Sequence, residues 1–461
     1  ECLLEKKNKL INDFTDGNIP KKMLLFAVPF MVSNLMQVLY SLVDMIVVGQ
    51  LVGSYGLSAV LVASQIFTFM TMVCLGFSNG GQVLIAQLIG AGRREKLNSA
   101  IGSLFSMVMI MGIVITIIGL VFGKSVLTLM NTPSESFAMA EDYVLVCSIG
   151  VIFTYGYNMV SAVLRGMGDS RHPFIFVMIA SIINVVLDLL FAGVFKWSVA
   201  GAALATILGQ AFSFIYAIIY LYHNRESFGF DFKPASFKIN GNMARQLTRM
   251  GIPFAVQSAA INISMMFVNS LVNTVGVYAS AVFGAGIKVD DIVNKITQGI
   301  SFAVSSMTGQ NIAAAKIKRV EKTFWTSVIF CGGCYLAFTI LLLTCSDLIF
   351  SLFTTDPEVI ELAPVFVSAI VWSFPAMAIM KGTNGLIQGI GNARLSLIFG
   401  LLDAVVLRIG LSWLLGLEMG LGLFGFFLGY GLAGYGTAIP GLIYFISGKW
   451  KKYNIVEHTN S

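Results

Sequence analysis

Long apolar runs separated by short polar breaks make up most of the chain. Twelve of them fall near residues 23–50, 56–87, 98–123, 139–163, 173–195, 199–222, 247–274, 279–309, 322–345, 361–386, 395–416 and 421–447. About 20 apolar residues are enough for a helix to cross a bilayer, so each run predicts a transmembrane helix. Several are longer than that, which predicts tilt or extension beyond the hydrocarbon. A β-barrel is excluded, because its strands would be short segments of alternating polarity. One long polar connection, 223–246, divides the chain nearly in half.

The halves are related. Ala27-Val-Pro-Phe30 recurs as Gly251-Ile-Pro-Phe254, Val52-Gly-x-Tyr55 as Val275-Gly-x-Tyr278, and Arg165-Gly-Met-Gly-Asp-Ser-Arg171 as Gln388-Gly-Ile-Gly-Asn-Ala-Arg394. The offsets are 224, 223 and 223. Three matches at one offset, each at the same place in the span order, indicate a duplicated six-helix unit. An even number of spans makes the two copies enter from the same side, so they are parallel repeats about an axis along the membrane normal. The expected fold is an all-α polytopic membrane protein of twelve transmembrane helices in two pseudo-twofold six-helix bundles. The expected organisation is an N-terminal segment 1–22, an N-lobe 23–222, a linker 223–246, a C-lobe 247–447 and a tail 448–461.

Composition agrees. The 461 residues are 57% hydrophobic before 46 Gly are counted, and 11% charged; soluble domains run near 25% charged. That excludes a soluble enzyme, a disordered chain and a disulfide-stapled secreted domain. The net charge of +6 is explained by placement. With the N-terminus inside, 23 of the 29 Lys and Arg lie on the inner side, and only Lys124 and Lys196 lie outside. This is the positive-inside asymmetry. It predicts cytoplasmic termini and leaves a nucleic-acid partner without support. No cleavable signal peptide is evident, since the first 22 residues are polar and basic and the first apolar run is too long for one.

Ionisable residues within spans carry the functional signal, because each costs roughly 2.5–3.5 kcal/mol on insertion scales. Asp44 lies in span 1 and Asp188 in span 5, neither with a basic residue nearby on its own helix. Asn184, four residues before Asp188, shares its helix face. Thr206 follows in span 6. Asp44, Asn184, Asp188 and Thr206 offer oxygen ligands only, which suits a hard cation such as Na+. The same acids are equally candidates for a proton, since apolar surroundings disfavour a charged carboxyl. Pro29 permits a kink early in span 1, with Gln37 and Tyr40 between it and Asp44. Pro253 repeats the kink, but the position matching Asp44 is Phe267 or Val268, so coupling chemistry is expected in the first half alone.

The second half has its own charges. Lys288, Asp290, Asp291 and Lys295 cluster in span 8, where Lys288/Asp291 and Asp291/Lys295 have pairing spacing. Lys381 lies in span 10, and Asp403 and Arg408 in span 11. They are read either as mutually neutralising or as a second coupling or substrate cluster. Cys331-Gly-Gly-Cys334 has no second pair and no His nearby, and reads as small-residue packing. Gly166-Met-Gly-Asp169 imitates an intramembrane protease motif, but its copy has Asn392 in place of the acid, which favours a loop turn.

Together, the twelve spans in two repeats, Pro29 and Asp44, Leu164 to Arg171 after span 4, and Asn184/Asp188 resemble the MATE (multidrug and toxic compound extrusion) family over nearly the whole chain. The set Pro29, Gln37, Tyr40, Asp44, Asn184, Asp188 and Thr206 is most similar to its DinF-like prokaryotic branch. The resemblance implies that Asn158 is a polar residue of the first-lobe cavity. It also implies outward antiport of organic cations and other amphipathic compounds against Na+ or H+ by alternating access. The implied protein is a monomer in a prokaryotic plasma (inner) membrane, in contact with lipid and without a cofactor. The acidic pair that another branch uses in spans 7 and 10 is absent; Asn262, Lys381 and Asn384 stand there. The alternatives are a lipid-carrier flippase of the same superfamily, for which Lys288, Lys381 and Arg408 would supply a cationic cavity, and, with no convergent catalytic set, an intramembrane enzyme.

Overall fold

The computed structural model describes residues 12–130, 132–353 and 356–452, and every regular element among them is helical. Inside a bilayer each backbone N–H and C=O must be satisfied within its own segment, which leaves the helix as the spanning form for such runs. The first six long helices are α1 (Ile19–Leu51), α2 (Ser54–Gly90), α3 (Leu97–Leu129), α4 (Ser134–Gly166), α5 (Arg171–Val194) and α6 (Ser198–His223). The second six are α7 (Gly241–Asn273), α8 (Val277–Ala313), α9 (Ile317–Ser351), α10 (Pro357–Ile390), α11 (Ala393–Glu418) and α12 (Gly422–Ile446). Eleven of these are long and apolar enough to span by composition. The remaining one, α8, carries Lys288, Asp290, Asp291 and Lys295 in its middle.

The repeated motifs are backbone devices. Gly53 (φ 90°) and Gly276 (φ 143°) open α2 and α8, and Gly168 (φ 83°) and Gly391 (φ 81°) close the turns before α5 and α11. A side chain is strained at these angles, which is why glycine recurs. Asp169 then caps α5, its Oδ1 accepting from the N–H groups of Arg171 (3.0 Å) and His172 (3.2 Å). Asn392 Oδ1 caps α11 through the N–H of Leu395 (3.2 Å). The protease-like Gly-x-Gly-Asp is therefore a turn and a helix cap.

The chain forms two compact units, and their bounds differ from the predicted lobes. One holds Val32–Ala255 with Asn12 and Asp13; the other holds Phe14–Met31 and the chain from Val256. Helices α1 and α7 are thus each divided, the first turns of α1 belonging to the second unit and the first turns of α7 to the first. Glycines explain both exchanges. A Cβ on Gly299 of α8 would lie 2.8 Å from the Ala27 carbonyl oxygen, and one on Gly76 of α2 would lie 2.6 Å from that of Gly251. Each backbone seats directly against its neighbour. The segments leading in are fixed likewise. Arg319 donates to the carbonyls of Phe14, Asp16 and Gly17, and Gln310 Oε1 accepts from the Phe14 N–H. In the other unit, Ser106 Oγ donates to the Phe237 carbonyl (2.6 Å). Residues 223–246, the connection between the two repeats, are part of the first unit.

A valine at residue 299 should push the first turns of α1 off α8. Overpacking of this kind costs about 1–3 kcal/mol. Gly299→Val is expected to lower the thermal unfolding midpoint and the monodisperse yield, while Gly284→Val, whose Cβ would meet nothing within 4 Å, leaves both unchanged. Equal behaviour of the two variants in fluorescence-detected unfolding would show that the close approach is not needed.

Candidate ion-coupling site

Within the first unit, α1, α5 and α6 bring the predicted oxygen donors together. Asp44 stands on α1, Asn184 and Asp188 on α5, and Thr206 on α6. Asn184 Nδ2 donates to Thr206 Oγ1 (3.2 Å), joining α5 to α6. Asp44 and Asp188 are within electrostatic reach of each other, and the phenols of Tyr40 and Tyr143 are within reach of both. Asp188 is fully buried and Asn184 nearly so. Immediately after Asp188 the helix widens into a π turn over Leu189–Val194, a departure that concentrates at functional positions.

The carboxylates have little to hold. Asp44 Oδ1, Asn184 Oδ1 and both oxygens of Asp188 are buried without a hydrogen-bond partner. Among the described residues no Lys or Arg forms an ion pair with either acid. Buried polar groups are ordinarily paired, and each exception calls for an explanation. Three of these four oxygens belong to Asp44 and Asp188, which are within electrostatic reach of each other; oxygen groups of this kind suit a hard cation or a proton. Among the described residues no three His, Cys, Asp or Glu side chains cluster.

The other named residues are placed less centrally. Gln37 and Tyr40 lie on the part of α1 that belongs to the first unit, half-buried. Pro29 belongs to the second unit, because the turn from Ala27 to Met31 seats on Gly299. Asn158 uses its amide on its own helix, Nδ2 donating to the Thr154 carbonyl (2.8 Å). Sequence reading missed Tyr143 and Gln210. The second lies one turn beyond Thr206, with Oε1 buried and unpartnered; the i, i+4 spacing was its available signal.

In the second unit the span 8 charges differ in exposure, while Lys288 and Lys295 both lie within electrostatic reach of Asp291, and Asp291 of Asp290. Asp290 is buried, Asp291 is half-buried, and Lys288 and Lys295 are exposed, because a helix turns successive residues to different faces. Arg408 is paired elsewhere, its Nη2 lying 2.8 Å from Asp403 Oδ1, and it packs over the Tyr430 ring. Residues five apart meet because Leu402–Ile409 is π-helical. Asp290 is bonded by Asn294 of its own next turn and lies within electrostatic reach of Asp291, of Tyr335 on α9, of Lys381 on α10 and of Arg408 on α11.

Similar proteins share this architecture. The MatE family model matches residues 29–190 and again 253–414, once per repeat. A "Probable multidrug resistance protein YpnP" of Bacillus subtilis is 30% identical over 440 residues, covering 95% of this chain and 97% of that protein. A "Probable multidrug resistance protein NorM" of Thermotoga maritima is 25% identical, covering 94% of each chain.

The chain belongs to the MATE family.

It is therefore a multi-pass membrane transporter of small molecules, not an enzyme, of a family that uses no cofactor. The fold of this MATE protein matches that of a MOP-superfamily transporter from Pyrococcus furiosus with a TM-score of 0.90, at 24% identity, over 95% of this chain and 98% of that one.

Removing the Asp188 charge breaks no ion pair among the described residues. Asp188→Asn is expected to leave the ion-free MATE protein as stable as the parent or more so, since the cost of a buried charge disappears. Asn184→Ala and Thr206→Val each lose the 3.2 Å bond and should cost about 1 kcal/mol. Thermal unfolding in Na+-free buffer measures all three. A large destabilisation by Asp188→Asn would mean that the carboxylate holds the bundle together and is not kept for an ion.

Proposed function

We propose that this MATE protein is a secondary active multidrug exporter. It expels organic cations and other amphipathic compounds by alternating access, in exchange for Na+ or H+ bound at Asp44, Asn184, Asp188 and Thr206. The observation that carries the reading is the set of four buried, unpartnered oxygens with no basic residue paired to them. A site that lacks its counter-charge gains most from a cation, and a cation that binds one conformation better than another shifts the equilibrium between them. The names of the relatives support the substrate side: YpnP is a probable multidrug resistance protein, and MepA of Staphylococcus haemolyticus, 24% identical, is a multidrug export protein. The Lys and Arg asymmetry supports a prokaryotic inner-membrane orientation with cytoplasmic termini. The lipid-carrier reading drew on Lys288, Lys381 and Arg408; with Arg408 paired to Asp403 and Lys381 buried, only the exposed Lys288 still speaks for it.

In proteoliposomes, a Na+ gradient and a pH gradient imposed one at a time should reveal which ion drives ethidium or norfloxacin efflux. Asp44→Asn and Asp188→Asn should remain monodisperse and lose that driven efflux. Efflux at the parent rate in both variants would end the coupling assignment.

Ion and substrate should also oppose each other, and linkage makes the antagonism reciprocal. Substrate affinity should fall as Na+ rises at fixed pH, or as pH falls without Na+, and the matching ion affinity should fall as substrate rises. An affinity indifferent to both titrations would place coupling elsewhere.

A further inference from the structure

The second unit contains a set of side chains with the same chemistry as the first-unit site. Asp290 and Asn294 stand one turn apart on α8, as Asn184 and Asp188 do on α5. Asn294 Nδ2 donates to Asp290 Oδ2 (2.9 Å). Tyr335 OH, from α9, donates to Asn294 Oδ1 (3.0 Å) and lies 3.1 Å from Thr297 Oγ1. Asp, Asn, Thr and Tyr are thus gathered in each unit. Asp290 is 4% exposed, and its Oδ1 is buried without a partner.

One group distinguishes this set. Lys381 of α10 is 7% exposed, and its Nζ makes one long contact, 3.5 Å, to the Asn294 carbonyl oxygen. Its own backbone is held by Ser301, whose Oγ donates to the Lys381 carbonyl (3.1 Å). Lys381 and Asp290 are within electrostatic reach of each other, yet among the described residues no carboxylate forms an ion pair with Lys381 within 4 Å. The other charges within electrostatic reach are Arg408, which is paired with Asp403, the half-buried Asp291, and the exposed Lys295, which acts on Asp291 as well as on Lys381. A buried ammonium with spare N–H groups therefore lies beside an oxygen cage with an unfilled acceptor. Either alone would be costly; together they balance charge.

We propose that Asp290, Asn294, Thr297 and Tyr335 form a second monovalent-cation cage, and that the tethered ammonium of Lys381, held beside it at the Asn294 carbonyl, is the cation that balances its charge. A lysine side chain cannot leave, so this cage does not exchange ions with solution, whereas the first-unit site has no resident cation. Removing the ammonium leaves that charge to be balanced by a free Na+.

The test uses full-length protein carrying Asp44→Asn and Asp188→Asn, so that retained Na+ cannot come from the first unit and the result does not depend on whether that unit couples transport. With Lys381 present, radiolabelled Na+ should show no saturable binding. Adding Lys381→Met should create saturable binding, and adding Asp290→Asn as well should abolish it. In a parallel arm, methylammonium should protect Lys381→Ala from thermal unfolding and choline should not, since choline is too large for the vacated place. A monodisperse Lys381→Met protein that binds no Na+, or Na+ binding that survives Asp290→Asn, overturns the proposal. If Lys381→Met does not fold, the charge-balanced Lys381→Met/Asp290→Asn variant should recover monodisperse protein; failure of that recovery also overturns it.

Discussion

Inside a helical membrane protein the backbone hydrogen bonds are consumed within each helix, and water is not there to supply others. Unsatisfied valence is left to side chains, and a carboxylate oxygen is the costliest atom to leave without a partner. The two units meet this constraint differently. In the first, Asp44 and Asp188 bring two carboxyl groups into one neighbourhood with no ion pair to Lys or Arg. In the second, Asp403 is paired with Arg408 and Asp290 has Lys381 within electrostatic reach. The helix arrangement around each set follows the charge it contains: a bond from Asn184 to Thr206 ties α5 to α6, and one from Tyr335 to Asn294 ties α9 to α8.

The duplication shows which residues a fold can spare. The glycines at 53 and 276, 168 and 391, and 76 and 299 are kept as pairs across the repeat because each answers a geometric demand that no other residue meets: a left-handed backbone angle or a helix seated against a carbonyl. Pro29 and Pro253 are kept near the points where α1 and α7 pass from one unit to the other. The acid at 44 is replaced by Phe267 or Val268 in the second copy. Backbone demands apply to both halves alike, whereas no backbone geometry calls for an acid at position 44.

Much of this was legible in the sequence. The apolar runs fixed the twelve helices to within a few residues, because the length needed to cross a bilayer is a strong constraint. Asp44, Asn184, Asp188 and Thr206 stood out because polar groups in such runs are expensive. The division of α1 and α7 was hidden, since hydropathy records that a residue is apolar and not which neighbour covers it; only the seating of Ala27 on Gly299 decides that. Sequence adjacency showed only part of the span 8 surroundings. Lys288 and Lys295 lie within electrostatic reach of Asp291 as their spacing predicts, while Lys381 and Tyr335 approach Asn294 from other helices, which spacing cannot show. The Asp403–Arg408 pair is five residues apart, a spacing that an α-helix does not bring together and a π turn does.

On the proposed reading, charge counting limits how the first unit can work. Two ionised carboxylates that receive one Na+ or one H+ keep a net negative charge, so a cationic substrate is still attracted after the first ion binds. Only a second positive charge, from another proton or from the substrate itself, completes neutralisation. The antagonism between ion and substrate therefore need not require them to share atoms; it suffices that each supplies charge the other would have supplied. A neutral amphipathic substrate brings no such charge and can be opposed only through the shape of the bundle. The strength of the antagonism across a series of substrates should then follow their charge more closely than their size, which separates an electrostatic linkage through Asp44 and Asp188 from one transmitted by helix displacement alone.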